Sequence, residues 1–172
     1  SRMAEGQDKI YYITADSLTA ASNSPHLEVF RKKGIEVLLM SERVDEWMIS
    51  HLHEFDGKEL VSVAKGDLDL GDADKESDKK KEEESATEFK SMLEQMQETL
   101  GDKVSEVRVS QRLTSSPSCL VLGEHDMAMH MQRIMKQAGH EMPGVQPILE
   151  INTDHALIQR LHEETDDERF SD

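Results

Sequence analysis

The chain has 172 residues, with 20 Lys and Arg against 36 Asp and Glu and a formal net charge of −16. That length allows one large domain or two small ones with a real core, and so acidic a surface argues against nucleic acid or an anionic membrane as partner. The longest apolar runs, such as Ile35 to Met40, are far too short to span a bilayer, no basic-then-apolar leader is visible, and the single cysteine excludes an internal disulfide and suits a reducing compartment; the expectation is a soluble, cytoplasmic protein.

Ile10 to Thr14 is a short β-branched and aromatic run ending in Ala15, Asp16 and Ser17, which predicts a strand running into a capped helix. Ser24-Pro25 supplies a second cap with proline at the first helical position, and Leu27, Val29 and Phe30 follow before Gly34 stops the chain. Ile35 to Met40, read as an apolar run, predicts a parallel strand buried on both faces between helices. Ser41 to Phe55 carries Val44, Trp47, Met48, Leu52 and Phe55 at helical offsets, so an amphipathic helix is expected as far as the Asp56-Gly57 break. A strand over Leu60 to Ala64 would complete a βαβαβ unit folded as a small three-layer sandwich. Trp47 has two readings: burial in that unit's core, or a partly exposed binding anchor.

From Asp67 to Glu84 the chain holds nine acids and four lysines. So few apolar groups cannot offset chain entropy, and the segment reads as an interdomain linker. Ser85-Ala86-Thr87-Glu88 has the form of a capping box, followed by Phe89, Met92, Leu93, Met96 and Leu100 on one helical face and by Gly101 as a stop. Val107 and Val109 alternate with polar residues in Ser105 to Gln111, and a turn over Thr114 to Pro117 leads to Cys119 to Leu122, so two strands are expected. Cys119 reads as a small core hydrophobe in a buried strand rather than a nucleophile.

His125 to Gly139 contains Met127, Met129, Met131 and Met135. Met127, Met131, Ile134, Met135 and Ala138 recur at helical spacing and share one stripe. A methionine stripe can fill an irregular core gap or present an adaptable surface to many partners, and spacing alone puts core burial slightly ahead. A strand over Ile148 to Ile151 comes next, then a last helix capped by Asn152 or Thr153 with Ala156, Leu157 and Leu161 inward, and a charged tail from Glu163 to Asp172 expected to fray. The fold class expected is therefore α/β plus α+β: the βαβαβ unit followed by a C-terminal domain with a small sheet and amphipathic helices.

Catalytic signals are weak. The chain has neither a GxxxxGK[ST] loop nor a GxGxxG fingerprint. His51 and His53 are two apart and so point to different helix faces, unlike metal-binding pairs. Ser17 follows Asp16 without a histidine in any defined relation, so capping outranks nucleophilic catalysis. An enzyme built on the βαβαβ unit would have fold analogy alone behind it.

Longer motifs carry more. Glu5-Gly6-Gln7-Asp8-Lys9-Ile10-Tyr11-Tyr12-Ile13-Thr14, Ser24-Pro25-His26-Leu27-Glu28, Lys33-Gly34-Ile35-Glu36-Val37-Leu38, Val44-Asp45-Glu46-Trp47 and Phe55-Asp56-Gly57-Lys58 occur in order and evenly spaced over the first sixty-five residues. Together they closely resemble the ninety-kilodalton heat-shock chaperones, in particular the bacterial branch. The second half is similar more loosely, through Val107-Arg108-Val109 with Arg112-Leu113-Thr114 and through Pro147-Ile148-Leu149-Glu150-Ile151-Asn152 leading into Asp154-His155. The resemblance implies a piece of a longer protein: residues 1–65 as the end of the middle domain, 66–84 as an acidic linker, and 85–172 as a C-terminal domain without the final helices that pair two subunits. That family is a homodimeric, ATP-driven chaperone of non-native client proteins. Its ATP and magnesium sit in an N-terminal domain, so no cofactor, metal, catalytic residue or ATP hydrolysis is expected in this stretch. The partners implied are clients, the parent's own N-terminal and middle domains, and a second copy, with dimerisation doubtful here. The client-contacting positions that the resemblance implies are Trp47, Met127, Met131, Ile134 and Met135. The competing reading is a structural assembly module whose Met-rich helix is buried and has no client role.

Overall fold

The computed structural model describes residues 3, 7–68, 84–124, 126–127, 132, 135–136, 139 and 145–171. Contacts divide the chain into two compact units, residues 1–67 with 122–145 and residues 68–121 with 146–172. Mixed helices and two small sheets make it an α+β chain.

In the first unit, β1 (Lys9–Thr14) lies between β2 (Val37–Met40) and β4 (Lys58–Ser62) in a four-stranded sheet, with β3 (Glu54–Phe55) at the edge beside β4. Its Tyr11, Tyr12 and Ile13 are buried in succession, as a strand covered on both faces requires. The chain then turns into α1 (Leu18–Ser22), where the Ser17 hydroxyl accepts the Ala20 amide at 3.1 Å as the sequence predicted. A 3₁₀ turn over Pro25–Leu27 leads into α2 (Glu28–Lys33), which ends at Gly34 in the left-handed conformation. Phe30 is fully buried, with its ring 4.9 Å from that of Tyr11. β2 (Val37–Met40) pairs in parallel with β1, in the register Tyr11 with Val37 to Thr14 with Met40. It is the sheet's edge rather than a strand buried on both faces, and Leu38 is 41% exposed.

The helix predicted to reach Phe55 is shorter. α3 covers Arg43–Ile49, and Phe55 belongs to β3 (Glu54–Phe55), which forms an antiparallel hairpin with β4 (Lys58–Ser62). Asp56 and Gly57 both have positive φ, 52° and 74°. Two such residues make the tight turn whose twist matches a hairpin, so Asp-Gly closes a pair of strands here instead of merely stopping a helix. β4 returns parallel to β1, which yields the expected parallel three-stranded arrangement with one antiparallel strand added at its edge.

The second unit begins within the described residues at Leu68, and most of the predicted linker, 69–83, lies outside them. Residues 84–88 are already helical, so Ser85 is inside a turn rather than at its cap, and its carbonyl accepts the Phe89 amide at 2.9 Å. α4 (Lys90–Leu100) follows. Phe89 and Met92 join Val104, Val107, Ile151 and Ile158 in one core, with Leu93, Met96 and Leu100 packed against it; this is the predicted stripe in full. β5 (Glu106–Val109), β6 (Ser118–Val121) and β7 (Ile148–Ile151) form a sheet with β7 central, parallel to β5 and antiparallel to β6. α5 (Ala156–His162) is capped by the His155 Nδ1 atom, which accepts the Leu157 amide at 3.1 Å. Asn152 instead braces the preceding turn: its Oδ1 accepts from the Asp154 amide and its Nδ2 donates to the Ser116 carbonyl. Ile158 and Leu161 of α5 face the core, the latter as predicted, while Ala156 and Leu157 are exposed. The tail does not fray throughout, since α6 (Asp167–Ser171) carries Phe170, which packs against the same core.

Along β7 the side chains alternate, so Leu149 and Ile151 face that core while Ile148 and Glu150 face the other side of the sheet. There Glu150, 2% exposed, is surrounded by cations. Arg112, 1% exposed, grips the carboxylate through Nε at 2.8 Å and Nη2 at 3.1 Å. Arg108, directly across the ladder from Glu150, adds Nη2 at 2.8 Å, and the Ser110 hydroxyl donates to Oε2 at 2.8 Å. The same hydroxyl accepts the Arg112 and Leu113 amides at 3.1 and 3.2 Å, which fixes the loop that delivers Arg112.

Removing one partner of a buried ion pair leaves an uncompensated charge and typically costs about 3–5 kcal/mol. Glu150→Ala should therefore lose stability of that order in urea denaturation, whereas Leu120→Ser, at an exposed β6 position, should change it by less than about 0.5 kcal/mol.

Candidate functional site

In helix α3 none of the seven residues is buried. Its first turn is set by the Glu42 amide, which donates to Asp45 Oδ2 at 2.9 Å. Offsets of three and four place Val44, Trp47 and Met48 on one stripe. That stripe, for which both core burial and exposure stood open, faces solvent, with Trp47 68%, Val44 62% and Met48 37% exposed. Phe55, in the hairpin that follows, is exposed as well. Trp47 is thus not a core residue, and its indole is exposed.

The indole has close company. The His51 ring lies 5.0 Å from it, centroid to centroid, at an interplanar angle of 52°. The Trp47 carbonyl accepts the Ser50 hydroxyl at 2.7 Å and stands 2.9 Å from His51 Nδ1. The spacing of His51 and His53 bears only on a metal site. The signal for the ring contact is the four-residue spacing between Trp47 and His51, which stacks two side chains on a helical turn. Among the described residues, no group of three or more His, Cys, Asp or Glu side chains is placed to hold a metal ion.

The methionine segment belongs to the same compact unit as Trp47. Met127 and Met135 are half-buried; Met131 and Ile134 lie outside the described residues. Its entry is pinned. Leu122 forms a parallel bridge with Lys65, through Leu122 N to the Ala64 carbonyl at 3.1 Å and Gly66 N to the Leu122 carbonyl at 2.8 Å. Gly123 N donates to Asp126 Oδ2 at 2.8 Å, so close that a Cβ at position 123 would stand 2.8 Å from that oxygen. Only glycine fits there without displacing the Asp126 carboxylate. The Lys65 ammonium donates to the Asp126 carbonyl.

Glu46, next to Trp47 in the chain, extends its charge to two groups of this support. Burial, and then the Glu46 carboxylate, push the Tyr12 phenol above its ordinary 10.0, while a hydrogen bond with Ser62 pulls the other way. Burial lowers the Lys65 ammonium below its ordinary 10.5, with Glu46 and Asp126 opposing. Glu46 Oε1 is itself buried and has no hydrogen-bond partner among the described residues.

The family described as Hsp90 protein matches residues 1–172. The chain is 60% identical over 172 residues to the chaperone protein HtpG of Alkalilimnicola ehrlichii, covering 100% of this chain and 26% of that protein. It is 61% identical over 165 residues to HtpG of Bordetella avium, covering 96% of this chain and 26% of that protein. With HtpG of Nitrosococcus oceani the identity is 57% over 172 residues, which is 100% of this chain and 27% of the relative. The chain thus spans about a quarter of the length of the curated relatives it matches.

Two measurements check the site. The chain has one tryptophan, so fluorescence reports Trp47 alone: acrylamide should quench the folded chain nearly as well as the urea-unfolded one, and mild peroxide should oxidise exposed Met48 well before buried Met92. The second is the phenol. A raised folded-state value means that folding favours the neutral form, so stability present below pH 10 falls as pH rises beyond it. In Tyr11→Phe, which leaves Tyr12 as the remaining phenol, phenolate absorbance should appear at higher pH in the folded chain than in urea.

Proposed function

The chain belongs to the Hsp90 family, and from that premise we propose that it is the client-contacting part of an ATP-driven chaperone, with Trp47 and the stripe Met127, Met131, Ile134 and Met135 as a discontinuous apolar surface for non-native polypeptides. One observation carries the reading: a tryptophan, a valine and a methionine stand exposed together on a helix none of whose residues is buried. Exposed apolar groups gathered on one face mark interaction sites, and tryptophan is enriched where binding energy concentrates. Methionine adds a flexible, polarisable surface that can repack around dissimilar segments, which favours weak and promiscuous binding.

In the same proposal, residues 1–65 form the end of a middle domain, 66–84 a linker, and 85–172 most of a C-terminal domain. ATP with magnesium, and its hydrolysis, belong to another part of the parent protein, this stretch holds no cofactor of its own, and the full protein works as a cytoplasmic homodimer. Among the described residues, no helix is long and apolar enough to cross a membrane.

The second reading, an assembly module without a client role, draws on the half-burial of Met127 and Met135. Binding to a fluorescein-labelled, reduced and carboxymethylated α-lactalbumin separates the two. Trp47→Ala should weaken binding about tenfold or more, the loss of a hot-spot side chain, with the melting temperature unchanged because the ring is exposed. Met127→Ser with Met135→Ser should weaken binding further. If binding survives while the melting temperature drops sharply, or sedimentation shows mass rising with concentration, the assembly reading takes its place.

A further inference from the structure

The geometry points to His51 as a positioning residue that holds the Trp47 indole ready for client capture, an inference that rests on the client-binding reading above. It starts from the backbone at the end of α3. The Ser50 amide donates to the Glu46 carbonyl at 3.1 Å, and the His51 and Leu52 amides both turn to the Met48 carbonyl, at 3.1 and 2.8 Å. In a continuing α-helix the His51 amide would reach back four residues to Trp47. Because the last turn tightens instead, the Trp47 carbonyl is met by side chains: the Ser50 hydroxyl donates at 2.7 Å, and His51 Nδ1 lies 2.9 Å away. Ser50 Oγ and His51 Nδ1 are also 2.8 Å apart, which closes a three-membered clasp.

The clasp dictates where the imidazole goes. A side chain that reaches a carbonyl one turn back must fold along the helix toward the N-terminus, onto the face of the residue four positions earlier. Here that residue is Trp47, and the two rings meet at 5.0 Å and 52°, within the tilted geometries aromatic pairs prefer. An exposed indole free to turn would have to give up that freedom on binding. One already held by a neighbour has less to lose, which is the general advantage of preorganisation. The imidazole is exposed like the indole, so its contact with Trp47 serves the surface rather than a core.

The test uses the full chain and the labelled α-lactalbumin probe, with nanosecond anisotropy decay of Trp47 as the second readout. His51→Ala should leave the melting temperature unchanged, speed local rotation of the indole, and weaken binding roughly three- to tenfold. His51→Phe, which keeps a ring against Trp47, should restore both slow rotation and affinity. His51→Gln, which keeps a donor for the carbonyl but no ring, should restore neither. Unchanged rotation or unchanged affinity in His51→Ala overturns the inference, as does His51→Gln matching His51→Phe. If Trp47→Ala binds the probe as tightly as the unaltered chain, the client reading falls and this inference with it; if Trp47→Ala weakens binding and His51→Ala does not, only the inference falls.

Discussion

The carboxylate of Glu150 is the constraint on which the second unit depends. A charge in the middle strand of a sheet, away from water, is tolerated only when it is paired and its oxygens are hydrogen-bonded. Both conditions are met by residues about forty positions earlier in the chain: Arg108 from the adjacent strand, and Ser110 and Arg112 from the loop that follows it. The pairing therefore does more than neutralise. It ties the central strand to β5 and to the start of the β5–β6 connection, and so sets the register in which Val107 and Ile151 reach one core and Cys119 and Val121 the other. A one-residue slip would turn Glu150 into the apolar layer beside Ile158.

That arrangement gives a physical reason for the motifs of the second half. Val107-Arg108-Val109, Arg112-Leu113-Thr114 and Pro147-Ile148-Leu149-Glu150-Ile151-Asn152 are far apart in sequence, yet they contribute the two arginines, the carboxylate and the strands that carry them. Asn152, at the end of the last motif, bonds the Ser116 and Pro117 carbonyls and holds the far end of the same loop. The first unit is organised differently. Its parallel sheet buries Tyr11, Tyr12 and Ile13, and α3, which links the sheet's edge to its last hairpin, is left with an uncovered apolar stripe.

Sequence alone determined the elements and their inner faces wherever the covering partner is local or the period is long. The Phe89 to Leu100 stripe, the alternation of Val107 and Val109, the Ser17 cap and the Gly34 stop all appear as read, because propensity, capping and periodicity act within a few residues. The family was legible too, from ordered motifs rather than from any single residue. What periodicity cannot say is which face a partner covers. Val44, Trp47 and Met48 share a stripe in either state, and only the tertiary structure, which leaves the stripe exposed among the described residues, decided that it meets water. Asp56-Gly57 is a breaker in both readings, and the strand available to pair with Lys58 decided that it closes a hairpin. Arg112 and Glu150 look like two more charges in a charged chain. Folding brought them within 2.8 Å and took them out of water, a fact that belongs to long-range contact and leaves no mark on the residues beside either one.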